Sequence, residues 1–532
     1  MSSLQFKDLY LGKIDANNEF LTFGKETCKD LFFEFPNINM NSIVNGSVYY
    51  ICGDKGTGKT MLLKYVETCI QDQDKNAGTT FIRFKRDIDS EERNTLKRIA
   101  SLKTQSEDEI IDNTCSFDKN VDCVLGWELF LIKTIVFKID KNKLNIFVKD
   151  KNWGRLIGLL KEIYKTDDSK KRSWSILPKM RRGNIEVNIA NLSKLALDFE
   201  WEKSDSNGIP FKIIAQKAID LFFELSPNEF SYYVFIDELE LSFKKNKQYD
   251  RDVILIRDLI FAIQYLSEEI KKNNFNVHFL AAIRNEVYRY VKSLGEEINK
   301  PISDFGIELS WKQKGGAIKE HPLLKMLEKR IRYSEEKNGV EPSKDVWRTY
   351  FAPIINKTLI CNYIVNQTWN KPRDIIRLFS IIQKQFGDIS YCNQAIFDAI
   401  RQQYSQESWD EIAESLTAIY SDVEVEGIRH VLTGISLPFR LTDFIRQIDG
   451  NSETFIEVEQ LKNGKNKPAV ILRDLYDAGV IGNYGNIPRF IFLGDRDIDP
   501  TSPVTIHYPL IKFFRASIKK FERDTASQNE EV

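Results

Sequence analysis

The sequence is poor in residues that bind metals or form disulfides. Only four of its 532 residues are histidine, scattered at positions 278, 321, 430 and 507. The seven cysteines include no C-x-x-C pair. Neither a zinc site nor a disulfide framework is therefore predicted, and reduced, intracellular thiols are the expected state.

Two further absences limit where the chain is expected to act. No apolar run approaches the length of a membrane span, and the first residues lack the apolar centre of a signal peptide. The formal net charge is −1, which gives no overall attraction for DNA, RNA or anionic lipid. We expect a cytoplasmic protein without membrane contact, divided into three or four domains because 532 residues exceed one core.

Residues 53–60 match the phosphate-binding pattern G-x-x-x-x-G-K-[ST]. An apolar run at 48–52 precedes them and a helical pattern at 61–66 follows, which is the context that the motif needs. Lys59 is expected to reach the β- and γ-phosphate oxygens and the Thr60 hydroxyl to ligate Mg²⁺. The residues predicted to bind a nucleoside triphosphate are Gly53, Asp54, Lys55, Gly56, Thr57, Gly58, Lys59 and Thr60.

An apolar run at 231–236 ends in Asp237 and Glu238. A buried parallel strand is a continuous apolar run, and acids at its carboxyl end fall on the ligand side of an open α/β sheet. Asp237 is predicted to hold Mg²⁺, directly or through a water. Glu238 is predicted to orient and polarise the attacking water as general base.

Five separated runs predict the strands of one sheet, at 48–52, 79–84, 232–237, 276–284 and 306–311. Helical patterns between them, notably at 254–270, predict an α/β fold with a parallel sheet flanked by helices. An insertion at about 86–230 is longer than a crossover requires. It contains helical patterns near 127–132 and 153–164 and a predicted hairpin of 184–189 with 195–201.

The remaining chain predicts further units, with these boundaries: a lead-in segment at 1–47, a P-loop core at 48–320, a helical lid at 321–405, a winged-helix-like domain at 406–523 and a disordered tail at 524–532. The lead-in either covers the nucleotide base or packs as an arm. The winged-helix prediction rests on short helices followed by a turn and a β-rich run at 489–493.

The order of these features resembles the AAA+/STAND group of P-loop ATPases, including its origin-recognition branch. The start Asp8-Leu9-Tyr10-x-Gly12-x-x-x-Ala16-x-x-Glu19 is also similar to a bacterial and archaeal family of such ATPases. Members of that broad group are often associated with defence against phages. The resemblance implies ATP and Mg²⁺ as cofactors.

Roles for several basic residues follow from the resemblance. It implies that Arg284, at the end of a strand, reads the γ-phosphate, and that Arg373, in a Lys-Pro-Arg motif, senses the nucleotide. Arg330 and Arg332 are either a finger into a neighbouring subunit or solvated helix charges. His507 is a candidate for the histidine that STAND switches place near ADP.

The leading hypothesis is an ATP-hydrolysing switch that controls self-association or engagement of a separate effector protein, in antiviral defence by resemblance. A DNA-dependent ATPase is the first alternative, and a non-catalytic nucleotide-binding scaffold is the second. Net charge does not support DNA binding, although the basic stretch 170–182, with its interleaved tryptophan, is either a nucleic-acid contact or a solvated loop.

Overall fold

The structure is a computed structural model that describes most of the chain. The described residues are 3–35, 38–84, 123–164, 209–239, 246–293, 298–313, 315–417, 419–433, 435–483 and 502–514, with positions 180, 181, 184, 185, 187, 192, 195 and 197. The chain divides into two compact units, Glu34–Ser310 and the pair of segments Met1–Phe33 and Trp311–Val532. We call these the sheet unit and the helical unit. Within the described ranges, no helix combines the length and hydrophobicity needed to cross a bilayer.

The α-helices of the described residues are, in chain order, α1 (Ala16–Phe23), α2 (Lys25–Leu31), α3 (Met40–Val44), α4 (Lys59–Gln73), α5 (Val124–Lys141), α6 (Lys151–Tyr164), α7 (Phe211–Phe223), α8 (Asn246–Lys272), α9 (Asn285–Ser293), α10 (Asn299–Phe305), α11 (Pro322–Lys337), α12 (Val346–Tyr350), α13 (Ile360–Asn366), α14 (Pro372–Phe386), α15 (Gln394–Leu416), α16 (Asp422–Thr433), α17 (Leu441–Asn451), α18 (Ile456–Asn463) and α19 (Pro468–Asp477). Short 3₁₀ helices lie at Phe6–Asp8, Ile318–Glu320 and Tyr508–Leu510.

The β-strands of the described residues are β1 (Tyr50–Gly53), β2 (Gly78–Arg83), β3 (Met180–Arg181), β4 (Asn184–Ile185), β5 (Ile209–Pro210), β6 (Tyr232–Leu239), β7 (Val277–Arg284), β8 (Gly306–Glu308), β9 (Ile354–Ile355), β10 (Thr358–Leu359), β11 (Ile481–Asn483) and β12 (Val504–Ile506).

The sheet unit is built on five parallel strands in the order β2–β6–β7–β1–β8. The strands β1, β6 and β7 are almost entirely buried, which explains why the sequence shows them as continuous apolar runs. All five predicted strands belong to this sheet, although β8 ends at residue 308 rather than 311. The predicted α/β fold, a parallel sheet flanked by helices, is confirmed.

Helices from the predicted insertion belong to the core of the sheet unit. Helix α5 packs against α7 and α8, and it is apolar on nearly all sides, as expected of a helix enclosed by others. Its Trp127 and Phe130 share one hydrophobic cluster with Ile236 of β6. The insertion is therefore a structural part of the unit.

The hairpin predicted within the insertion is different in the structure. Strand β4 pairs antiparallel with β3 on one side and with β5 on the other. Residues 195 and 197 are not in a strand, and the rest of 195–201 lies outside the described residues. Sequence alternation identified β4 but not its partners, since β3 and β5 have two residues each and are too short to show an alternating pattern.

The helical unit contains two hydrophobic regions joined by one helix. Helix α14 packs against α15, and α15 runs without interruption from Gln394 to Leu416, with Tyr404 and Trp409 both buried. The predicted boundary between residues 405 and 406 therefore falls inside a helix. Burial continues across that position, so no linker exists there.

The last part of the helical unit consists of helices α16 to α19 and the antiparallel pair β11–β12. They enclose their own core around Phe444, Leu475 and Ile506. The predicted strand at 489–493 and the tail 524–532 lie outside the described residues, as does most of the basic stretch 170–182.

The N-terminal segment is an arm of the helical unit. The backbone N–H groups of Phe6 and Lys7 donate to the carbonyls of Ile389 and Gly387 at 2.8 and 2.9 Å. The side-chain amide of Gln383 donates to the carbonyl of Phe6 at 2.7 Å. Residues up to Phe33 belong to this unit and Glu34 begins the other, so the predicted lead-in 1–47 is divided between the two.

A buried ion pair fixes this arm to helix α11. The Nη2 of Arg330 lies 2.8 Å from Oε1 of Glu19, and the two side chains are 5% and 1% exposed. Gly12, at φ +108°, lies against them, and a Cβ there would be 2.3 Å from Nη1 of Arg330. Both roles predicted for Arg330, a finger into another subunit and a solvated charge, are wrong because its partner is within the same unit. Arg332 contacts Glu328 and the carbonyl of Ser343.

We expect Arg330→Ala to destabilise the helical unit by about 3–5 kcal/mol, since it leaves the Glu19 carboxylate buried without its cation. Urea unfolding followed by tryptophan fluorescence measures the change. Lys7→Ala is the matched control, because the Lys7–Asp388 pair also holds the arm but is exposed. Lys7→Ala is expected to lower the free energy of unfolding by no more than about 0.5 kcal/mol. Equal decreases for Lys7→Ala and Arg330→Ala would contradict the stronger role assigned to the buried pair.

Candidate functional site

The predicted phosphate-binding loop connects β1 to α4. Strand β1 is buried between β7 and β8, and α4 begins at Lys59. Gly56 and Gly58 have φ values of +86° and +94°, which glycine adopts without steric cost. At Gly53, a Cβ would approach Thr57 Oγ1 at 2.9 Å and the Leu309 carbonyl at 3.0 Å. The glycines of the motif are thus required by the curvature of the loop.

Lys59 holds its ammonium group against the loop itself. Its Nζ donates to the carbonyl oxygens of Gly53 and Asp54 at 2.7 and 2.8 Å. The residue is only 9% exposed, so polar partners are needed to offset the cost of burying the charge.

Thr60 and Asp237 meet although 177 positions separate them in the sequence. The Thr60 Oγ1 donates to Oδ2 of Asp237 at 2.7 Å, and Asp237 is 6% exposed at the carboxyl-terminal part of β6. A hydroxyl and a carboxylate in contact are oxygen donors of the kind that Mg²⁺ prefers.

The donor set fits magnesium bound together with a nucleotide. Within the described part of the chain no three His, Cys, Asp or Glu side chains form a metal cluster. Mg²⁺ in nucleotide sites uses one or two protein oxygens and completes its shell with phosphate oxygens and water. Thr60 and Asp237 would supply the protein oxygens.

Glu238, the predicted general base, follows Asp237 in β6 and is partly exposed. Its backbone N–H donates to Oδ1 of Asp237 at 2.8 Å. Its φ is +59°, an uncommon value for a glutamate in a strand. Asp237 therefore lies beside Thr60, and Glu238 follows it in the strand; the general-base role of Glu238 stays a prediction.

Strand β7 and the helix α9 that follows it each contribute one polar residue at the same edge. Arg284 is the register partner of Gly53 in β1, which places its backbone beside the start of the loop. Asn285, which the sequence interpretation missed, donates from Nδ2 to Oδ1 of Asp54 at 2.9 Å. The sequence did contain a signal for Asn285: it directly follows Arg284, the last residue of a predicted strand.

Cys52 lies in β1 immediately before the loop. Burial raises the pKa of its thiol to about 12, despite the nearby Lys59 ammonium. The thiol is therefore protonated at neutral pH, and its reactivity as a nucleophile is low. Cys52 acts as a small packing residue of the strand.

Arg373 belongs to the helical unit, where it begins α14. Its Nη1 lies 2.8 Å from Oε1 of Glu411 on α15, and Arg377 is a second partner of the same carboxylate. Burial alone would raise the pKa of Glu411, but Arg377 and Arg373 outweigh it and lower the pKa to about 2. The proposed sensing role of Arg373 stays a prediction.

His507 also lies in the helical unit, directly after β12. Its ring stacks on Trp369, with centroids 4.6 Å apart, and it is buried. Burial lowers the pKa of His507 well below its ordinary value, with a further contribution from Lys371. The imidazole is therefore neutral, and it packs against Trp369 beside the core of the last part of the helical unit.

A parallel α/β sheet with this loop and this acidic strand end defines the class of P-loop nucleotide-binding folds. A family model described as the FunZ-associated C-terminal helical domain matches residues 321–416. That range, which is less than half of the chain, extends from the N-cap of α11 to the last residue of α15. No curated protein shows a significant match.

Among solved structures, the chain is similar to the Aeropyrum pernix ORC1 protein in complex with DNA. The identity is 10% and the TM-score is 0.37, over 90% of this chain and 91% of that chain. A similarity at this level says nothing about function.

We expect Glu411→Gln to lower stability at pH 7 by about 1–3 kcal/mol, because it removes the charge that pairs both arginines. The folded-state pKa of about 2 is below the ordinary value of 4.5. The stabilisation is thus complete above about pH 4.5 and is lost as the pH falls toward about 2. Urea midpoints of the two proteins should differ equally at about pH 7 and 5 and converge below about pH 4.

Asp410→Asn, an exposed change on the same helix at a side chain that accepts a hydrogen bond from the neutral Gln406, is the control and should show a small difference at every pH. If the urea midpoints of Glu411→Gln and the unmodified protein still differ by the same amount below about pH 4, the lowered pKa of Glu411 is contradicted.

Proposed function

We propose that the sheet unit binds ATP with Mg²⁺ and hydrolyses it. The observation that carries this proposal is the contact between Thr60 and Asp237, beside a lysine held at the centre of the loop. Residues from two distant parts of the chain provide the cation and the oxygen ligands that a triphosphate with its metal requires.

Each residue has a distinct part in the proposed reaction. The Lys59 ammonium would exchange the carbonyl oxygens of Gly53 and Asp54 for phosphate oxygens. Bound Mg²⁺ neutralises charge on the phosphates. Glu238 orients a water and accepts its proton as the water attacks the γ-phosphorus. Arg284, aligned with Gly53, is proposed to contact the γ-phosphate.

The output that we propose is a switch of the AAA+/STAND type. Contacts to the γ-phosphate exist only before hydrolysis, so ATP and ADP favour different states. Arg373 would sense the nucleotide, and helices α17 to α19 with β11–β12 would form a winged-helix-like domain. Self-association or a separate effector, and a part in antiviral defence, complete the proposal and are supported by resemblance. A cytoplasmic location is proposed from the sequence, which has no membrane-length apolar run and no signal-peptide centre.

Lys59→Ala is expected to reduce ATP affinity at least about 100-fold, because the buried cation that faces the phosphates is lost. Isothermal titration with Mg-ATP measures it. Lys64→Ala is the matched control: this lysine lies on the same helix, over the ring of Phe81 at 5.2 Å, and its loss should leave affinity unchanged. Equal affinities for the Lys59 variant and the unmodified protein would disprove the loop assignment.

Glu238→Gln is expected to keep ATP affinity while turnover falls by about 10²–10⁴, the usual contribution of a general base. Phosphate release under saturating ATP measures turnover. Glu308→Gln is the matched control, because Glu308 ends β8, the edge strand of the same sheet, and is exposed. Unchanged turnover in Glu238→Gln would remove the residue from the reaction.

The same variant also tests the output. If assembly is the output, light scattering of Glu238→Gln should report a larger mass with Mg-ATP than with Mg-ADP. Identical masses would reject self-association. Hydrolysis that rises with added DNA and falls with salt would instead favour the DNA-dependent alternative.

A further inference from the structure

Strand β6 contains a bulge at its two acidic residues. Ile236 is in register with Ala281 of β7, whereas Leu239 is in register with Ile283. Asp237 and Glu238 of β6 therefore lie opposite a single residue of β7, Ala282. An extra residue interrupts the alternation of side chains along a strand and redirects the side chains near it.

The backbone of Glu238 is the strained element of this bulge. Its φ of +59° lies in the left-handed region, where a side chain with a Cβ is unfavourable. The other described non-glycine residues with positive φ are in turns or bends: Lys143, Asn274, Asn356, Lys357 and Asn370. Within the described residues, Glu238 alone has this conformation inside a strand. Strain of this kind persists only where surrounding contacts hold it.

The Asp237 carboxylate provides such a contact. One of its oxygens accepts the Glu238 N–H at 2.8 Å, and the other accepts the Thr60 hydroxyl at 2.7 Å. Asp237 itself is buried, whereas Thr60 and Glu238 are partly exposed. A single carboxylate thus connects the start of α4 with the backbone conformation of the next residue.

We propose that Asp237, besides its place in the metal site, is the positioning residue for Glu238. Its carboxylate holds the Glu238 backbone in the left-handed conformation, and the bulge then directs the glutamate side chain. This inference rests on the proposed function only in taking Glu238 as the reacting base. The conformational part stands on the geometry of the strand.

A substitution series at position 238 tests the conformation without nucleotide. The Gly, Asn, Ala and Val variants all lack the carboxylate. Their relative stabilities therefore report which backbone conformation position 238 adopts. In a left-handed position, Gly and then Asn should be the most stable, Ala lower and Val lowest. We expect the melting temperature of Glu238→Gly to exceed that of Glu238→Ala by roughly 2–4 °C. In an extended strand the order reverses, with Val above Ala above Gly.

Position 79 supplies the matched control. Thr79 lies in the regular strand β2, in register with Tyr233 of β6. Its Gly, Ala and Val variants lose the same hydroxyl contacts to Glu67 and Gln71. They should show the extended order. The extended order at position 238 as well would overturn the proposal.

The role of Asp237 is tested by repeating the Gly and Ala substitutions at position 238 in two backgrounds. Asp237→Asn retains an oxygen that accepts the Glu238 N–H, so the preference for glycine should persist. Asp237→Ala removes that acceptor, and the preference should disappear. Asp237→Leu, which keeps most of the volume, replaces the alanine variant if that variant does not fold. A preference for glycine that is unchanged without the acceptor would overturn the positioning role.

None of these measurements involves nucleotide. The extended order at position 238, or a glycine preference that survives in Asp237→Ala, together with normal ATP hydrolysis by the unmodified protein would reject the positioning role alone. The expected stability order with no detectable hydrolysis would instead reject the proposed function and leave the conformation of Glu238 established.

Discussion

Parallel strands end at one edge of a sheet, and this constraint governs the candidate site. The carboxyl-terminal parts of β1, β6 and β7 are neighbours because the strands pair in the order β6–β7–β1. Thr60, Asp237 and Asn285 therefore lie at the same edge, although they come from distant parts of the chain. The helices around the sheet keep the strands buried and in register, and the polar residues occupy the place where the apolar strands stop.

Much of this edge was predictable from the sequence. Strands β1, β6 and β7 are almost entirely buried and so appear as apolar runs, and the phosphate loop has a strict spacing of glycine, lysine and threonine. Both signals are local. Together they predicted that Thr60 and Asp237 lie close to each other, because an α/β fold brings the two strand ends together.

The features that escaped prediction depend on contacts between distant residues. The bulge at Glu238 is defined by its register with β7, and nothing in the local sequence distinguishes it from a regular strand. The pairing of Arg330 with Glu19 joins positions 311 apart, so an arginine on a polar-looking helix was interpreted as exposed. The domain boundary predicted at 405 falls inside α15 for a related reason: residues along the whole helix are buried by packing, which the local sequence does not show.

The N-terminal arm has a consequence for synthesis of the chain. Its partner Arg330 follows Glu19 by 311 positions, and ribosomes add about 5–20 residues per second. The arm, with the apolar Phe6 and Leu11 that are buried in the finished unit, must therefore wait about 15–60 s for α11 to be made. The sheet unit is completed during that interval. The apolar arm thus stays exposed on the growing chain while the sheet unit that follows it already folds, and we expect chaperones to bind this arm.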